Sequence, residues 1–210
     1  WPIFAAQSSF YFKTLGVEDG LSQNMIYAIL QDRQGFMWFG TQDGLNRYDG
    51  NSFRIYKKDL FSEYSLKSDA IFSLAEGNDS LLWIGTDNGV AIYDPVLEKF
   101  TQLDFGEEGR MGIVRSIVKD RKGNMWMSLS DEGIVCVTLD KKQIFYSLDK
   151  YLGRGKGMIR QLCFDDNGFL WIATYRQGVL RLEPSTGNVK QFIIDKTEDN
   201  VSGNDVNCML

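Results

Sequence analysis

The chain has 210 residues, 43% of them hydrophobic and 24% charged, with 23 Lys and Arg against 28 Asp and Glu for a net charge of −5. That composition is ordinary for a globular unit with one sizeable core. No apolar run approaches the ~18 residues of a membrane span, and the acidic balance argues against a nucleic-acid surface, which carries a basic patch. The histidine count is zero, so these residues hold no catalytic triad of the usual kind, no histidine general base, few routes to zinc and no phospho-accepting histidine.

In chain order, residues 1–7 read WPIFAAQ. This fits either the tail of a secretory signal ending near Ala6 or a frayed terminus. Residues 8–210 read as a partial β-propeller. Residues 10–13 align with later outer strands and predict a strand without its three predecessors. From residue 24 onward a pattern sets in. "DRQGFMWFGTQDGLNRYDG" at 32–50 returns as "GNDSLLWIGTDNGVAIYDP", "DRKGNMWMSLSDEGIVCVTLD" and "DDNGFLWIATYRQGVLRLEP". Trp38, Trp83, Trp126 and Trp171 fall 45, 43 and 45 residues apart. A period of this size marks a repeat protein.

Within the first copy, apolar residues alternate or run in short blocks between turn residues, the strand signature. "MIYAILQD" predicts strand a, "FMWFGT" strand b, "LNRYD" strand c and "SFRIYK" strand d. Gly35, Gly123 and Gly168 suit a left-handed position in the a–b turn. Repeat two has Ser80 there, which predicts a turn of different detail. Gly44, Gly89, Gly133 and Gly178 close the b–c hairpins. Four short antiparallel strands per repeat make one propeller blade, so the chain is all-β, with about four blades over 24–194. The four Trp are then blade-to-blade packing anchors. Residues 205–210 predict the first strand of a fifth blade, which makes this part of a longer ring.

If strands a to d run outward from the axis, the d–a loops (57–69, 106–112, 149–157, 195–204) and the b–c turns (42–43, 87–88, 130–132, 175–177) share one face. Eleven residues before each Trp stand Tyr27, Phe72, Arg115 and Arg160, at one equivalent position near the start of strand a. With Tyr175 and Arg176 of a b–c turn they form the candidate ligand site. Arginine supplies a planar fork of donors, and aromatic faces stack on sugar rings.

Asp32, Asp120 and Asp165 each precede a Gly by three residues, which an Asx-type turn explains without metal or catalysis. The sialidase Asp-box places its Gly two residues on. Cys136, Cys163 and Cys208 lack metal-ligand spacing and read as buried free thiols. No metal or cofactor is expected. A glycosidase would need two carboxylates about 6.5–9.5 Å apart. Glu107, Glu108, Asp131 and Glu132 lie on the candidate face, but no pair recurs in a recognisable catalytic context. A carbohydrate-active propeller enzyme, sialidase-like or otherwise, and a pure protein-interaction scaffold therefore stand as alternatives to a non-enzymatic sensor.

The stretch "DGLSQNMIYAILQDRQGFMWFGTQDGLNRYDG" resembles the regulator-propeller repeats of bacterial hybrid two-component sensors, abundant in gut Bacteroidetes. Repeats three and four depart from it, with Ser128-Leu129 and Ala173-Thr174 for Gly-Thr. The resemblance implies a periplasmic sensor half of two seven-bladed propellers and an immunoglobulin-like module. A membrane helix anchoring it in the inner membrane, a histidine kinase and a response-regulator region would follow. It also implies oligosaccharide ligands and a homodimeric receptor, with any kinase activity in downstream domains.

Overall fold

The computed structural model describes residues 12–105, 112–129, 132–153, 158–193 and 204–209. They form four four-stranded sheets, each an antiparallel meander in chain order. The first is β1 (Ile26–Gln31), β2 (Met37–Thr41), β3 (Gly44–Tyr48) and β4 (Phe53–Tyr56). The second is β5 (Ile71–Glu76), β6 (Leu82–Thr86), β7 (Gly89–Asp94) and β8 (Lys99–Gln102). The third is β9 (Ile117–Lys119), β10 (Met125–Leu129), β11 (Gly133–Val137) and β12 (Gln143–Ser147). The fourth is β13 (Met158–Phe164), β14 (Leu170–Tyr175), β15 (Val179–Leu182) and β16 (Val189–Phe192). The first strands adjoin from sheet to sheet, β1 on β5, β5 on β9 and β9 on β13, so they line the axis. These are four propeller blades.

The core sits between blades. Trp38, Leu45, Ile84, Tyr93 and Phe100 fill the first gap, and Met125, Met127 and Val135 with Trp83 the second. Trp126, Leu162, Ile172 and Leu180 fill the third. The tryptophans reach forward: Trp38 meets Tyr93 edge-on at 5.5 Å, and Trp126 meets Phe164 at 5.6 Å. Behind each stands a stacked tyrosine of the same blade, Tyr56 or Tyr146. Truncating such a buried ring costs about 3–5 kcal/mol.

Why Gly-Thr closes strand b is visible at the blade contacts. A Cβ on Gly40 would come within 2.7 Å of Ile71 Cγ2 in the next blade. One on Gly85 would overlap Ser73 Oγ and the Val114 carbonyl. Ser128, which replaces this glycine, converts the crowding into bonds: its Oγ accepts the N–H groups of Arg115 (3.2 Å) and Ser116 (3.1 Å). The threonine that follows is buried and donates across the b–c turn, Thr41 to Gly44 O and Thr86 to Gly89 O, both at 2.9 Å.

The repeated aspartate is an Asx-turn acceptor with a second duty. Asp32 Oδ1 accepts the N–H groups of Gln34 and Phe36, and its Oδ2 accepts the Trp38 indole N–H at 2.7 Å. Asp120 with Trp126 (3.0 Å) and Asp165 with Trp171 (2.9 Å) repeat the arrangement. Gly77 stands there in repeat two, and Trp83 makes no such bond among the described residues.

The turn of repeat two differs in detail, as expected: Ser80 adopts the left-handed conformation itself, φ 62°, beside φ 91°, 89° and 83° at Gly35, Gly123 and Gly168, and Leu81 N–H donates to Asp79 Oδ1 in place of an Asx bond from the strand end. Other expectations need correction. The three cysteines are free, but only Cys136 is buried; Cys163 is half-buried and Cys208 exposed. Cys136 faces the gap between the third and fourth blades, whereas Cys208 lies in the segment 204–209. Of the outer strand expected over 10–13, residues 10 and 11 lie outside the described residues, and 12 and 13 are not in a strand. Residues 205–209 are not in a strand either, and 210 lies outside the described residues.

That last segment is nonetheless placed as a neighbouring inner strand would be. Gly178 N–H donates to Asn204 O (2.9 Å) and Val206 N–H to Thr174 O (3.0 Å). The same two bonds, Gly89 to Gly112 O (3.1 Å) and Val114 to Thr86 O (2.8 Å), fasten the third blade to the second. Val206 thus takes the place of Val114.

Candidate functional site

Each b–c hairpin is bonded to the adjoining d–a loop. Gly44 N–H donates to Asp69 O (2.7 Å), Gly89 to Gly112 O, Leu148 to Glu132 O (3.1 Å) and Gly178 to Asn204 O. Loops and hairpin turns therefore share one face, and the start of every inner strand opens onto it.

A bulge interrupts the inner strand there. β1 slips register between Ile26 and Ala28, β5 between Ile71 and Ser73, and β13 between Ile159 and Gln161. The extra residues are Tyr27, Phe72 and Arg160. A bulge bends the strand and re-aims its side chain, which is how one position per repeat comes to face its neighbours around the axis. Arg115 reaches the same place through the Ser128 hydroxyl described above.

The six expected site residues fall into two contacting groups spread over four blades. Tyr27 meets Phe72 at 5.1 Å between ring centroids. The Arg115 guanidinium lies over Phe72 at 5.0 Å. Arg160 and Arg176 lie over the Tyr175 ring at 5.1 and 4.6 Å. Burial, with the adjacent Arg160 charge, holds the Arg115 guanidinium below the usual arginine value. The Nε atoms of both Arg115 and Arg160 are buried and have no hydrogen-bond partner among the described residues.

Serines and a glutamine beneath these groups staple the inner strands. Ser73 Oγ donates to Val114 O (3.0 Å), Leu162 N–H donates to Ser116 Oγ (3.0 Å), and Met209 N–H donates to Gln161 Oε1 (2.6 Å). Sequence reasoning missed these, since the signal is only a polar residue two places after each strand-a β-branched residue. It also missed Gln42, whose Oε1 accepts from Tyr27 OH at 3.4 Å. Asn207, exposed, follows Val206 as Arg115 follows Val114, and is a fifth member that counting from tryptophans could not reach.

Of the four carboxylates considered for catalysis, Glu107, Glu108 and Asp131 lie outside the described residues, and Glu132 is exposed on its turn. No cluster of three or more potential metal ligands occurs among the described residues. No helix among them is long and apolar enough to cross a membrane. The described arrangement holds cations and ring faces, which bind and orient.

The model of two-component regulator propellers matches residues 20–43, 65–88 and 153–176. Three of the four repeats are thus similar to two-component regulator propeller repeats. Each match covers a d–a loop, the inner strand and the second strand, the elements that build the candidate face. The matches take up about a third of the chain and pass over the third repeat, where Ser128 and Leu129 replace Gly-Thr.

Over 93% of its length the chain superposes, with TM-score 0.79 and 26% identity, on the extracellular domain of a protein of B. thetaiotaomicron assigned as a hybrid two-component system. A second extracellular domain from that organism, assigned to a one-component system, shares the fold at TM-score 0.72 and 24% identity over 86% of the chain. The chain spans 27% of each of those structures. A 55-residue segment, 26% of this chain, is 47% identical to a histidine kinase of Formosa agariphila and covers 4% of it.

Proposed function

We propose that this regulator propeller is part of a ligand-sensing ectodomain that binds an oligosaccharide on the face carrying Tyr27, Phe72, Arg115, Arg160, Tyr175 and Arg176. The observation that carries this reading is the pair of ring and guanidinium groups on this face, Tyr27–Phe72–Arg115 and Arg160–Tyr175–Arg176. Sugar rings offer apolar C–H faces to aromatics and hydroxyls to a guanidinium fork, so both kinds of side chain have work to do. Non-enzymatic binding fits the absence of histidine and the full use of Asp32, Asp120 and Asp165 as turn and indole acceptors.

Likeness to the extracellular domain of a two-component protein supports a periplasmic location, and the segment shared with a histidine kinase supports a downstream kinase region that receives the signal. One experiment tests binding against catalysis. Fluorescently end-labelled oligosaccharides from polysaccharide digests are incubated with the chain, and bound material is recovered and sized. Intact label retained by the wild type and lost with Phe72→Ala/Tyr175→Ala is expected. Shortened label would mean an enzyme, and no retention from any digest would remove the reading.

A further inference from the structure

We infer that the ligand is anchored by an anionic group, a carboxylate or a sulfate ester, held between Arg115 and Arg160. This rests on the ligand-binding reading of the same face and narrows its chemistry.

Two like charges stand side by side here, and nothing described neutralises them. Several exposed cations are ion-paired, Arg54 with Glu98 at 2.7 Å, Lys57 with Asp43 at 2.7 Å, Arg121 with Asp166 at 2.6 Å and Lys142 with Asp140 at 2.8 Å, while Arg47 and Arg181 lie over ring faces. In a chain with more acids than bases, Arg115 and Arg160 have only ring faces as partners among the described residues. Their Nε–H groups are buried without acceptors, and a buried donor left unsatisfied is costly.

The geometry states what would satisfy them. A guanidinium presents parallel N–H donors that match two oxygens of a carboxylate or sulfate, and charge-assisted bonds of this kind are roughly twice as strong as neutral ones. One such anion would cancel the mutual repulsion, with the Phe72 and Tyr175 rings beside the guanidiniums that hold it. A neutral sugar would supply hydroxyl acceptors but leave the two charges uncompensated. The adjacent rings, Tyr27 and Phe72 on one side and Tyr175 on the other, suit the sugar that carries the anion.

The test is binding of the chain to arrayed oligosaccharides in three groups, uronate-bearing, sulfate-bearing and neutral, with wild type and R115Q/R160Q in parallel and titration of each hit. Hits are expected in a charged group, with the uronate or sulfate arm naming the anion. Each should weaken by about tenfold to a hundredfold in the double variant. R115K/R160K, which keeps the charge and loses the fork, should fall between. Hits among neutral sugars, held equally by R115Q/R160Q, would overturn the anionic anchor and leave the oligosaccharide reading standing. Charged hits undiminished by the double variant would also overturn it, placing the anion elsewhere. Silence in all three groups would remove both readings. The double variant relieves a like-charge contact, so its thermal midpoint should equal or exceed that of the wild type. A lower midpoint would make the pair a structural feature and sink the inference.

Discussion

Trp126 donates its indole N–H to Asp120 at 3.0 Å, from a strand to the turn that precedes it, while the same carboxylate accepts the backbone N–H groups of Lys122 and Asn124. The pair ties the tryptophan that plugs the next blade to the hairpin that aims it. Burial opposes ionisation of Asp120, but bonds from Trp126 and Asn124 outweigh it and hold the carboxyl below its usual range. Asp165 is lowered in the same way, first by Trp171.

Asp120→Asn should therefore cost about 1–3 kcal/mol, because an amide cannot accept on both sides and one buried donor loses its partner. The pH dependence has a definite sign. A carboxyl whose folded pKa lies below its unfolded value stabilises fully above the unfolded value and loses that contribution as pH falls through the folded one. Wild-type stability should thus decline below about pH 4, and the variant's decline over that range should be shallower. Urea unfolding at pH 7 and pH 3 measures both.

Ser80→Gly should stabilise the chain by about 1 kcal/mol. Ser80 holds φ 62°, a region that costs L-residues roughly that much and glycine almost nothing. Its three counterparts are already glycine. A midpoint shift in chemical denaturation that leaves the slope unchanged is the expected reading.

Two alanine substitutions separate crowding from backbone strain. Gly35→Ala meets nothing within 4 Å and suffers only from φ 91°, so about 1 kcal/mol is expected. Gly85 has no positive φ, yet its Cβ would overlap Ser73 Oγ and the Val114 carbonyl where the third blade abuts the second. Gly85→Ala should cost about 1–3 kcal/mol or more, as overpacking does. Equal effects at the two positions would contradict the assignment of Gly85 to a blade contact.

The blade plan was legible because its signals are local: strand alternation, glycine in hairpins, and a tryptophan at a fixed place in strand b. The bulge residues were found for the same reason, since an identical bulge keeps Tyr27, Phe72 and Arg160 at a constant distance from Trp38, Trp83 and Trp171. The rest was less legible. The Trp126–Asp120 bond looks like turn composition until the indole is seen to reach back. The left-handed conformation of Ser80 could not be read from its residue type. The proximity of Arg115 and Arg160, without a carboxylate partner among the described residues, exists only when two blades stand side by side.

The same dependence on paired repeats leaves a cleft. Between the third and fourth blades lies a space of about 450 Å³, walled by Trp126, Tyr146, Phe164 and Pro184, on the side of the a–b and c–d turns. The equivalent space between the first and second blades, walled by Trp38, Tyr93 and Pro95, holds about 10 Å³. Two positions behind the wall differ between these gaps. Tyr93 pairs with Leu82 as Leu182 pairs with Leu170, and Phe100 pairs with Tyr93 as Val189 pairs with Leu182. Tyr93 and Phe100 pack at 4.7 Å and reach Tyr56 at 5.4 Å each, and the Tyr56 and Tyr93 hydroxyls meet at 3.2 Å. Leu182 and Val189 are too small to do this, and Tyr146 OH donates instead to Pro184 O at 3.2 Å. Leu182→Tyr/Val189→Phe should rebuild the aromatic cluster, with Tyr146 offered a hydroxyl in place of the carbonyl. Cavity filling of this kind yields about 0.5–2 kcal/mol. Either substitution alone should gain less, because each ring lacks its partner, and a double-mutant cycle in chemical denaturation reads the coupling. Additive effects, or destabilisation by the pair, would show that the fourth blade's backbone, rather than its side chains, holds the cleft open.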